Sequence, residues 1–377
     1  MREVLLSDIA EMKYGKMPTQ DVLVDSEDGF PVFSGYRITG YAKEYLYDDE
    51  MLIIVARGVG GTGDVKISPS RSWITNLCIV LKLDEEQVNK NYLKYLLNRE
   101  KLKDKLNTGA AQAQITIDSL SNYKIRIPDF LTQCKVHKII STYDDLIENN
   151  RRRIALLEES ARLLYQEWFV YLRFPGYEHT RITDGIPVGW SKKNLTDIAV
   201  INESSLKNGF HGNIEYIDIS CVSTNSINST TWYDFKEAPG RARRVLKHGD
   251  IIWSCVRPNL KAHSFVWQPH DRLIASTGFA VISAKFISPF YLYQVLTTNE
   301  YVSYLTNHAG GAAYPAVTAK VFENSEILVP PTNLLDNFDQ FVEKIYRQIN
   351  LLHQSNKKLI EARDLLLPRL MNGEISV

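Results

Sequence analysis

One stretch of this chain, residues 132–172, constrains its fold more than any other because it predicts a single long helix. Apolar residues recur there at alternating steps of four and three, which is typical of a coiled-coil seam and narrower than the stripe of a globular helix. The seam positions are Val136, Ile140, Tyr143, Ile147, Asn150, Ile154, Leu157, Ala161, Leu164 and Trp168. Neither Pro nor Gly interrupts the stretch, and about forty residues at 1.5 Å each give a rod of roughly 60 Å. A rod of that length needs a partner along it.

The sequence supplies that partner within the same chain. Adding 202 to the seam positions gives a second series in the same register. It consists of Phe338, Val342, Ile345, Ile349, Leu352, Asn356, Leu359, Arg363, Leu366 and Leu370. Each series contains one Asn, and a buried Asn commonly fixes register and orientation at some cost in stability. We therefore expect two long helices that pair antiparallel and are related by an internal repeat.

The composition indicates a soluble protein of two or three domains. The chain has 377 residues, 44% of them hydrophobic and 23% charged, and no apolar run is long enough to cross a bilayer. The N-terminal segment lacks the features of a signal peptide, and Cys78, Cys134, Cys221 and Cys255 form no C-x-x-C pair, which favours a reduced, cytoplasmic protein. The 44 basic and 44 acidic residues cancel, so binding to a nucleic acid requires local positive charge or a second protein.

The segments before and after the first long helix follow the same order. LSDIA at 6–10 returns as LTDIA at 195–199, and the buried-strand pattern LIIVA at 52–56 returns within HGDIIWSCVRPN. GAAQAQITIDSLSNYKIRIP and AGGAAYPAVTAKVFENSEILVPP close the two copies. The least similar stretches are residues 11–50 and 200–246. Similar frames with unlike middles indicate one scaffold with two specificities.

These patterns predict an α+β fold of two mixed α/β units separated by two long antiparallel coiled-coil helices, with a pseudo-two-fold internal repeat. The predicted boundaries are residues 1–130 for the first unit, 131–172 for the central helix, 173–333 for the second unit and 334–377 for the C-terminal helix. The stretch after the central helix, RFPGYEHTRITDGIPVGW, is rich in Pro and Gly and is interpreted as a linker into the second unit.

No catalytic or metal-binding motif is convincing in this sequence. GVGGTG at 58–63 lacks the Lys-Ser/Thr of a P-loop and the spacing of a dinucleotide-binding loop, so a glycine-rich hairpin is the favoured interpretation. The eight His residues form no H-x-x-x-H or H-E-x-x-H pair, so no metal site is predicted. Pro330 and Pro331 follow Val329, which departs from the Asn/Asp-Pro-Pro-aromatic motif of amino-methyltransferases. An enzyme would need a cofactor pocket that the sequence does not indicate.

The two-unit plan resembles the specificity subunit of type I restriction–modification systems over essentially the whole chain. The most specific parts are LIENNRRRIALLEESARLLYQEWF at 146–169 and INLLHQSNKKLIEARDLLLPRLMNGEI at 349–375. The resemblance implies a non-catalytic subunit with two target-recognition domains, each reading one half of a bipartite double-stranded DNA sequence, and with the helices as a ruler between them. It also implies two methyltransferase subunits carrying S-adenosylmethionine, ATP-dependent restriction subunits, and no cofactor in this chain. The sequence departs from the family in the middles of the units, which puts in doubt which DNA is bound.

Base reading needs Arg, Lys, Asn or Gln on a stiff frame, with Ser, Thr and aromatic side chains reaching base edges and backbone. In the first unit the predicted DNA-binding residues are Tyr36, Arg37, Arg57, Lys66, Thr75, Asn76, Gln112 and Gln114. In the second unit they are Arg241, Arg243, Arg244, Arg257, Lys261, Ser276, Thr277, Tyr314 and Lys320. Arg57 and Arg257 share an offset of 200, and a structural ion pair common to both copies is the alternative for them. The alternative for residues 241–244 is a solvated basic face.

The helices carry more apolar surface than one seam uses. The additional residues are Ile139, Leu146, Leu156, Leu163, Leu335, Phe341, Leu351 and Leu365. They form either a docking surface for methyltransferase helices, in a four-helix arrangement, or contacts beneath the chain's own units. A coiled-coil interaction scaffold without DNA binding is the alternative function, and it predicts no salt-sensitive binding to a duplex.

Overall fold

The computed structural model describes residues 1–58, 61–109, 113–311 and 314–377 of the chain. Contacts between residues divide it into two compact units, which are residues 1–148 with 356–377 (unit 1) and residues 149–355 (unit 2). Within the described ranges no helix combines the length and the apolar character needed to cross a membrane.

Unit 1 contains the first series of strands and short helices. Its strands are β1 (Arg2–Leu5), β2 (Ala10–Tyr14), β3 (Leu23–Val24), β4 (Phe30–Phe33), β5 (Ile38–Ala42), β6 (Leu52–Val55), β7 (Val65–Ile67), β8 (Trp73–Ile74), β9 (Cys78–Leu83) and β10 (Lys124–Ile127). Its helices are α1 (Leu6–Ile9), α2 (Lys90–Arg99), α3 (Leu102–Leu106) and α4 (Ile117–Ser121), with residues 130–148 of the long helix α5 (Phe130–Tyr165) and residues 356–371 of the long helix α10 (Thr332–Met371).

Two four-stranded sheets organise unit 1, with strand orders β2-β9-β6-β7 and β3-β5-β4-β8. The apolar run of β6 is buried on both faces of the first sheet. Leu52 and Ile54 pack into the core that includes α2 and the start of α5, whereas Ile53 packs into a smaller core with Phe33 and Ile74. This arrangement explains why the run shows no alternation of apolar and polar residues.

Unit 2 contains the second series. Its strands are β11 (Ile182–Thr183), β12 (Ile186–Pro187), β13 (Ser191–Asn194), β14 (Ala199–Ile201), β15 (Asn213–Ile217), β16 (Val222–Ser223), β17 (Ser226–Ile227), β18 (Thr231–Asp234), β19 (Ala242–Val245), β20 (Ile251–Ser254), β21 (His263–Phe265), β22 (Leu273–Ser276), β23 (Phe279–Ala284) and β24 (Glu326–Val329). Its helices are α6 (Leu195–Ile198), α7 (Pro289–Leu296), α8 (Asn299–Asn307), α9 (Ala319–Glu323) and residues 332–355 of the long helix α10 (Thr332–Met371), with residues 149–165 of α5.

One four-stranded sheet of unit 1 has a counterpart of the same strand order in unit 2, and the other shares three of its four strands with its counterpart. The order β14-β23-β20-β21 repeats β2-β9-β6-β7, and both sheets are antiparallel throughout. In the other pair of sheets, β15 pairs parallel with β22 and antiparallel with β18, as β4 does with β8 and β5. The fourth strands lie at opposite edges, because β3 pairs with β5 whereas β19 pairs with β22. The terminal pairs β1–β10 and β13–β24 also correspond. The internal repeat predicted from sequence is therefore present in the strand order.

The repeated LSDIA and LTDIA segments have the same structural role. Each forms a single helical turn, α1 or α6, whose Leu and Ile side chains are fully buried. The backbone N–H of Leu6 donates to the carbonyl of Tyr123, and that of Leu195 donates to the carbonyl of Ser325. The sequence similarity at these positions therefore reflects packing of the frame.

Within unit 1 the two long-helix segments run antiparallel. Nη1 of Arg363 donates to Oδ1 of Asp144 at 2.7 Å. Nζ of Lys135, earlier on α5, donates to the carbonyl of Val377, beyond the end of α10, at 3.3 Å. Moving forward along α5 therefore means moving backward along the partner segment.

Unit 2 shows the same orientation for its own segments. Nδ2 of Asn150 donates to Oγ of Ser355 at 3.4 Å, and further along the first helix the rings of Trp168 and Phe338 lie 6.0 Å apart. Residue numbers again rise on one segment as they fall on the other. The antiparallel pairing and the α+β class are confirmed. The predicted domain boundaries remain predictions, although α5 and α10 begin within two residues of their predicted starts.

All positions of the two predicted seams are buried or half-buried, including Asn150 and Asn356. The first helix ends before residue 172, because α5 gives way at Gln166–Val170 to a π-helical turn closed by the hydrogen bond from Tyr171 N–H to Gln166. One of the extra apolar residues on the long helices packs beneath the chain's own unit, which is the second of the two arrangements expected from sequence. Leu335 is buried in the core of unit 2, since the start of α10 packs under the sheet and α7.

Candidate nucleic-acid interface

In unit 1 the structure brings Tyr36 and Lys66 together beside the glycine-rich loop. Tyr36 lies in the turn after β4, and Nζ of Lys66 is 5.1 Å from the centroid of its ring. Partial burial and the nearby Asp64 carboxylate raise the pKa of Tyr36, so its hydroxyl stays protonated and able to donate. Lys66 also lies 3.8 Å from Asp64. Arg37 follows in the same turn with an exposed side chain, while its carbonyl accepts from Ser34.

The glycine-rich loop connects β6 to β7 as a hairpin, which agrees with its interpretation from sequence. Gly61 has a positive φ of 70°, and a Cβ there would lie 2.4 Å from the Tyr36 ring. A larger residue would therefore displace Tyr36. Arg57 forms an isolated antiparallel bridge with Gln114, which places both predicted residues at one edge. Gln112 lies outside the described residues.

Unit 2 builds the same edge with different residues. Val256 bridges Ala316 as Arg57 bridges Gln114, and Val317 N–H donates to Cys255 as Ile115 N–H donates to Ala56. The hydrogen bonds therefore pair Arg57 with Val256, and the offset of 200 that aligned Arg57 with Arg257 is one residue too long. No ion pair common to the two arginines is seen in the part of the chain that the structure describes.

Arg257 and Tyr314 form an exposed pair at this edge of unit 2. The guanidinium of Arg257 lies 4.6 Å from the centroid of the Tyr314 ring, and its backbone N–H donates to the carbonyl of Pro315 at 2.7 Å. Arg257 and Lys261 have positive φ values of 50° and 53° and flank a single 3₁₀ turn, Pro258–Leu260. Nζ of Lys261 donates to Oδ1 of Asn299 at 2.9 Å. A loop with this backbone geometry has few alternative conformations for non-glycine residues.

The basic cluster at residues 241–244 does not face solvent as one group. Arg241 is exposed, and its carbonyl accepts from the backbone N–H of the exposed Thr277. The guanidinium of Arg243 lies 4.7 Å from the Phe235 ring centroid, and the half-buried Arg244 donates to Oγ of Ser205. Burial lowers the pKa of Arg244. Arg241 and Thr277 are therefore the members of this region best placed for a ligand.

Two of the predicted DNA-binding residues are buried, which argues against direct contact of their side chains with DNA. Thr75 and Ser276 lie at the ends of β8 and β22 with their side chains inside the protein, and Oγ of Ser276 accepts from the backbone N–H of Gly278. The equivalent strand ends direct these side chains toward the core and not toward a ligand. Asn76 is half-buried, and Lys320 is exposed on the first turn of α9.

Trp232 is one of several exposed aromatic residues that the sequence analysis did not identify. Trp232 on β18 is 55% exposed, whereas the other five tryptophans, all within the described residues, are buried or half-buried. Its ring is stacked on His270 with 5.5 Å between centroids and 6° between planes. Nδ1 of His270 accepts from the backbone N–H of Arg272, so Nε2 carries the proton and donates to Glu215. The sequence signal was weak, since Trp232 only follows the uncharged polar run NSTT at 228–231.

Apolar side chains remain exposed on both long helices. On α5, Leu156 is 67% exposed, and Leu146 and Leu163 are exposed as well. On α10, Phe341, Leu351 and Leu365 are exposed. Ile139, in contrast, packs against the core of unit 1. Six of the eight extra apolar residues thus form surface, and two pack beneath the chain's own units.

No three His, Cys, Asp or Glu side chains among the described residues come together as a possible metal site. Taken together, the two units offer polar, basic and aromatic side chains on a repeated frame. Such an arrangement suits recognition of a polyanion with readable edges.

The chain belongs to the family described as the type I restriction modification DNA specificity domain, whose model matches residues 1–159 and 187–361. The particular relatives are specificity subunits of type I restriction enzymes. The MjaIX subunit of Methanocaldococcus jannaschii is 24% identical over 315 residues, covering 78% of this chain and 71% of that protein. The HindI subunit of Haemophilus influenzae is 24% identical over 327 residues, covering 70% of this chain and 71% of that protein.

The fold is also found in a solved structure. The S subunit of the type I restriction–modification system of M. genitalium superimposes with a TM-score of 0.63 and 15% sequence identity. The match covers 98% of this chain and 96% of that one. At this identity the likeness concerns the fold, and it supports the two-unit architecture with its repeated sheets.

Proposed function

We propose that this chain is the specificity subunit of a type I restriction–modification complex that reads an asymmetric, bipartite DNA target and performs no catalysis itself. One observation carries the proposal. Equivalent edges of the two units share their backbone hydrogen bonds but present different side chains, Arg57 with Gln114 in unit 1 and Val256 with Ala316 in unit 2. A common frame with unlike reading residues suits two half-sites of different sequence.

The nature of the side chains supports base reading as well as backbone contact. Arg and Gln are the residue types that form bidentate hydrogen bonds to guanine and adenine edges. In unit 2 the exposed Arg257–Tyr314 pair and Arg241 offer a cation, an aromatic face and hydrogen-bond donors. The unit 1 cluster of Tyr36 and Lys66 also places a cation over a tyrosine ring, but its ammonium lacks the two parallel donors of a guanidinium. We therefore expect the two half-sites to differ in sequence.

Partner subunits complete the proposed complex. The chain has as many acidic as basic residues, which suits a protein whose grip on DNA is shared with other chains. We propose that two methyltransferase subunits dock on it and bring S-adenosylmethionine, and that restriction subunits join and bring ATP. The exposed apolar residues of the long helices support docking of this kind, because contiguous apolar surface commonly marks an interface.

A double substitution on α5 tests the docking surface. Leu156→Asp with Leu163→Asp removes apolar area from exposed positions and leaves the buried seam untouched. The variant is expected to fold and to lose co-purification with the methyltransferase subunit. Ala155→Asp, at an exposed position about 100° around the helix from Leu156, is the matched control and should retain the partner. A folded double variant that still captures the methyltransferase contradicts docking at this surface.

Mapping of methylated adenines tests the proposed function directly. The chain and its methyltransferase would be expressed in a host without adenine methylation, and modified sites would be read across the genome. The proposal predicts one motif made of two unlike half-sites separated by a fixed gap. A purely scaffolding role predicts no motif, and it also predicts no duplex binding whose affinity falls steeply with salt.

A further inference from the structure

The turn between β16 and β17 of unit 2 contains a strained residue with an unusual set of partners. β16 and β17 pair through Val222↔Ile227 and Ser223↔Ser226, which leaves Thr224 and Asn225 as the two turn residues. Asn225 has a positive φ of 62°. Asn tolerates this region better than other residues with a Cβ, and Gly occupies it without cost. The turn therefore restricts this position to very few residue types.

The Asn225 side chain lies at the centre of a directional chain of hydrogen bonds. Its Oδ1 accepts from the hydroxyl of Tyr293 at 2.7 Å, and its Nδ2 donates to Oε2 of Glu158 at 3.1 Å. Because the single hydroxyl proton of Tyr293 goes to Asn225, its oxygen accepts from Nδ1 of His263 at 3.1 Å. The orientation of the Asn225 amide is fixed as well. An ionised Glu158 carboxylate can only accept a hydrogen bond, so the NH₂ group of Asn225 must face it.

These partners come from different elements of unit 2. Glu158 lies on α5, Tyr293 on α7 and His263 on β21, and Tyr293 and His263 are both buried. Burial lowers the pKa of His263 to about 4, so the ring is neutral and donates one hydrogen bond as the chain requires. Burial also raises the pKa of the Glu158 carboxyl, while the hydrogen bond from Asn225 opposes that shift.

The same turn holds the loop that carries the candidate DNA-binding residues. Oγ1 of Thr224 donates to the carbonyl of Lys261 at 3.1 Å, and Thr224 forms a parallel bridge with His263. The loop from Arg257 to Lys261 is thus bound at its far end to the turn, and the turn is bound to α5 through Glu158. Displacement of the turn therefore displaces the loop.

We propose that Asn225 is a positioning residue that sets the Arg257–Lys261 loop for DNA contact by linking the turn to Glu158 of α5. This inference rests on the proposed function, because it assigns the loop a place in DNA recognition. Asn225 acts through the loop and need not touch DNA itself.

Three substitutions separate a positioning role from a general effect on folding. Asn225→Gly keeps the positive φ without strain but removes both side-chain hydrogen bonds. Glu158→Ala removes the acceptor, whereas the matched Glu158→Gln keeps a carbonyl oxygen that accepts from Asn225. Each full-length variant, co-expressed with its partner subunits, would be titrated onto the mapped target duplex. A second duplex, with the half-site of unit 2 scrambled, would be titrated in parallel.

The readout is the ratio of affinities for the intact and the scrambled duplex, because unfolding of the whole chain lowers both affinities equally. Hydrogen exchange in the core strand β20 (Ile251–Ser254) would show in each variant that unit 2 itself remains folded. We expect Asn225→Gly and Glu158→Ala to lower this ratio about tenfold, the effect of one hydrogen bond to a charged group. Glu158→Gln should stay within about threefold of the unsubstituted chain. An unchanged ratio in Asn225→Gly and Glu158→Ala overturns the proposal, as does an equal loss in Glu158→Gln and Glu158→Ala. If the unsubstituted complex itself showed no preference for the intact duplex, the proposed function would fail first.

Discussion

The contact between Asp144 of α5 and Arg363 of α10 gives a direct energetic test of the antiparallel pairing. Oδ1 of Asp144 accepts from Nη1 of Arg363 at 2.7 Å, and Oδ2 accepts from the hydroxyl of Tyr95 on α2. A parallel pair in the register of the repeat would instead place Asp144 beside Tyr346. The test is a double-mutant cycle, in which the stability of Asp144→Asn, Arg363→Met and the double variant would be compared with that of the unsubstituted chain. Met is chosen because it keeps much of the packing of the Arg stem.

The magnitude follows from the geometry and the exposure of the pair. A hydrogen bond to a charged group contributes about 1.5–3 kcal/mol when it is well shielded, and an exposed ion pair contributes about 0.2–1 kcal/mol. The side chains of Arg363 and Asp144 are 27% and 34% exposed, which lies between these cases. We expect a coupling free energy of about 1 kcal/mol in the double-mutant cycle.

Hydrogen exchange followed by mass spectrometry measures this coupling in unit 1 without assuming that the whole chain unfolds in one step. The control is the exposed pair Arg347–Glu343 on α10, 2.9 Å apart, for which we expect no more than about 0.5 kcal/mol. A coupling for Asp144 and Arg363 no larger than that of the control would refute the antiparallel contact.

Three further predictions concern pH, DNA contact and the helices. Burial, together with the negative charges of Asp336 and Glu343, raises the pKa of Asp339 to about 6. The folded protein therefore binds the carboxyl proton of Asp339 more tightly than the unfolded chain does, and it loses stability as pH rises from about 4 to 6. Asp339→Asn should therefore increase the free energy of unfolding more at pH 8 than at pH 4, by about 1–2 kcal/mol after allowance for partial solvation. The thermal midpoint should rise more at pH 8 accordingly, and an equal rise at both pH values contradicts this. Trp232→Ala should weaken binding to the target duplex about tenfold, because it removes an indole on which a base can stack. It should also abolish the quenching of tryptophan fluorescence on DNA binding. The control Trp73→Phe, at a buried position, should keep both the affinity and the quenching of the unsubstituted chain. Insertion of seven residues into each long helix should widen the gap between half-sites by roughly three base pairs without changing their bases, and altered bases would contradict it.

The long helices were predictable because their signal is periodic and extends over many turns. The seam of α5 needed only the spacing of residues such as Val136 and Ile140, and the repeat supplied the partner. The π-helical turn at Gln166–Val170 was not predictable, since it depends on how Trp168 and Phe169 pack against Phe338 and Trp190. Local packing of large aromatic rings leaves no periodic trace in a sequence.

The candidate interface was predictable only in part. Residue type drew attention to Tyr36, Lys66 and Arg257, which the structure places near one another or near other candidates, and their contact with DNA stays a prediction. It could not show that Thr75 and Ser276 turn inward, because a change of one residue in strand register reverses the direction of a side chain. The offset between copies failed by one residue for a different reason, because the diverged middles of the units differ in length.

Exposure of single residues was the least predictable property. Leu335 and Leu156 both lie off the seam, yet the first is buried and the second is mostly exposed. The difference depends on whether the sheet and α7 cover that turn of the helix, which the sequence of the helix alone does not contain. Trp232 was overlooked for the corresponding reason, because its partner His270 lies on a distant segment.

Exchange of residues 11–125 for the equivalent region of a related specificity subunit tests the central claim most directly. The exchanged chain would be expressed with its methyltransferase, and methylated adenines would be mapped as for the original. Two independent readers on one frame predict that one half-site changes while the other half-site and the gap stay the same. A change in both half-sites, or in neither, would contradict the account.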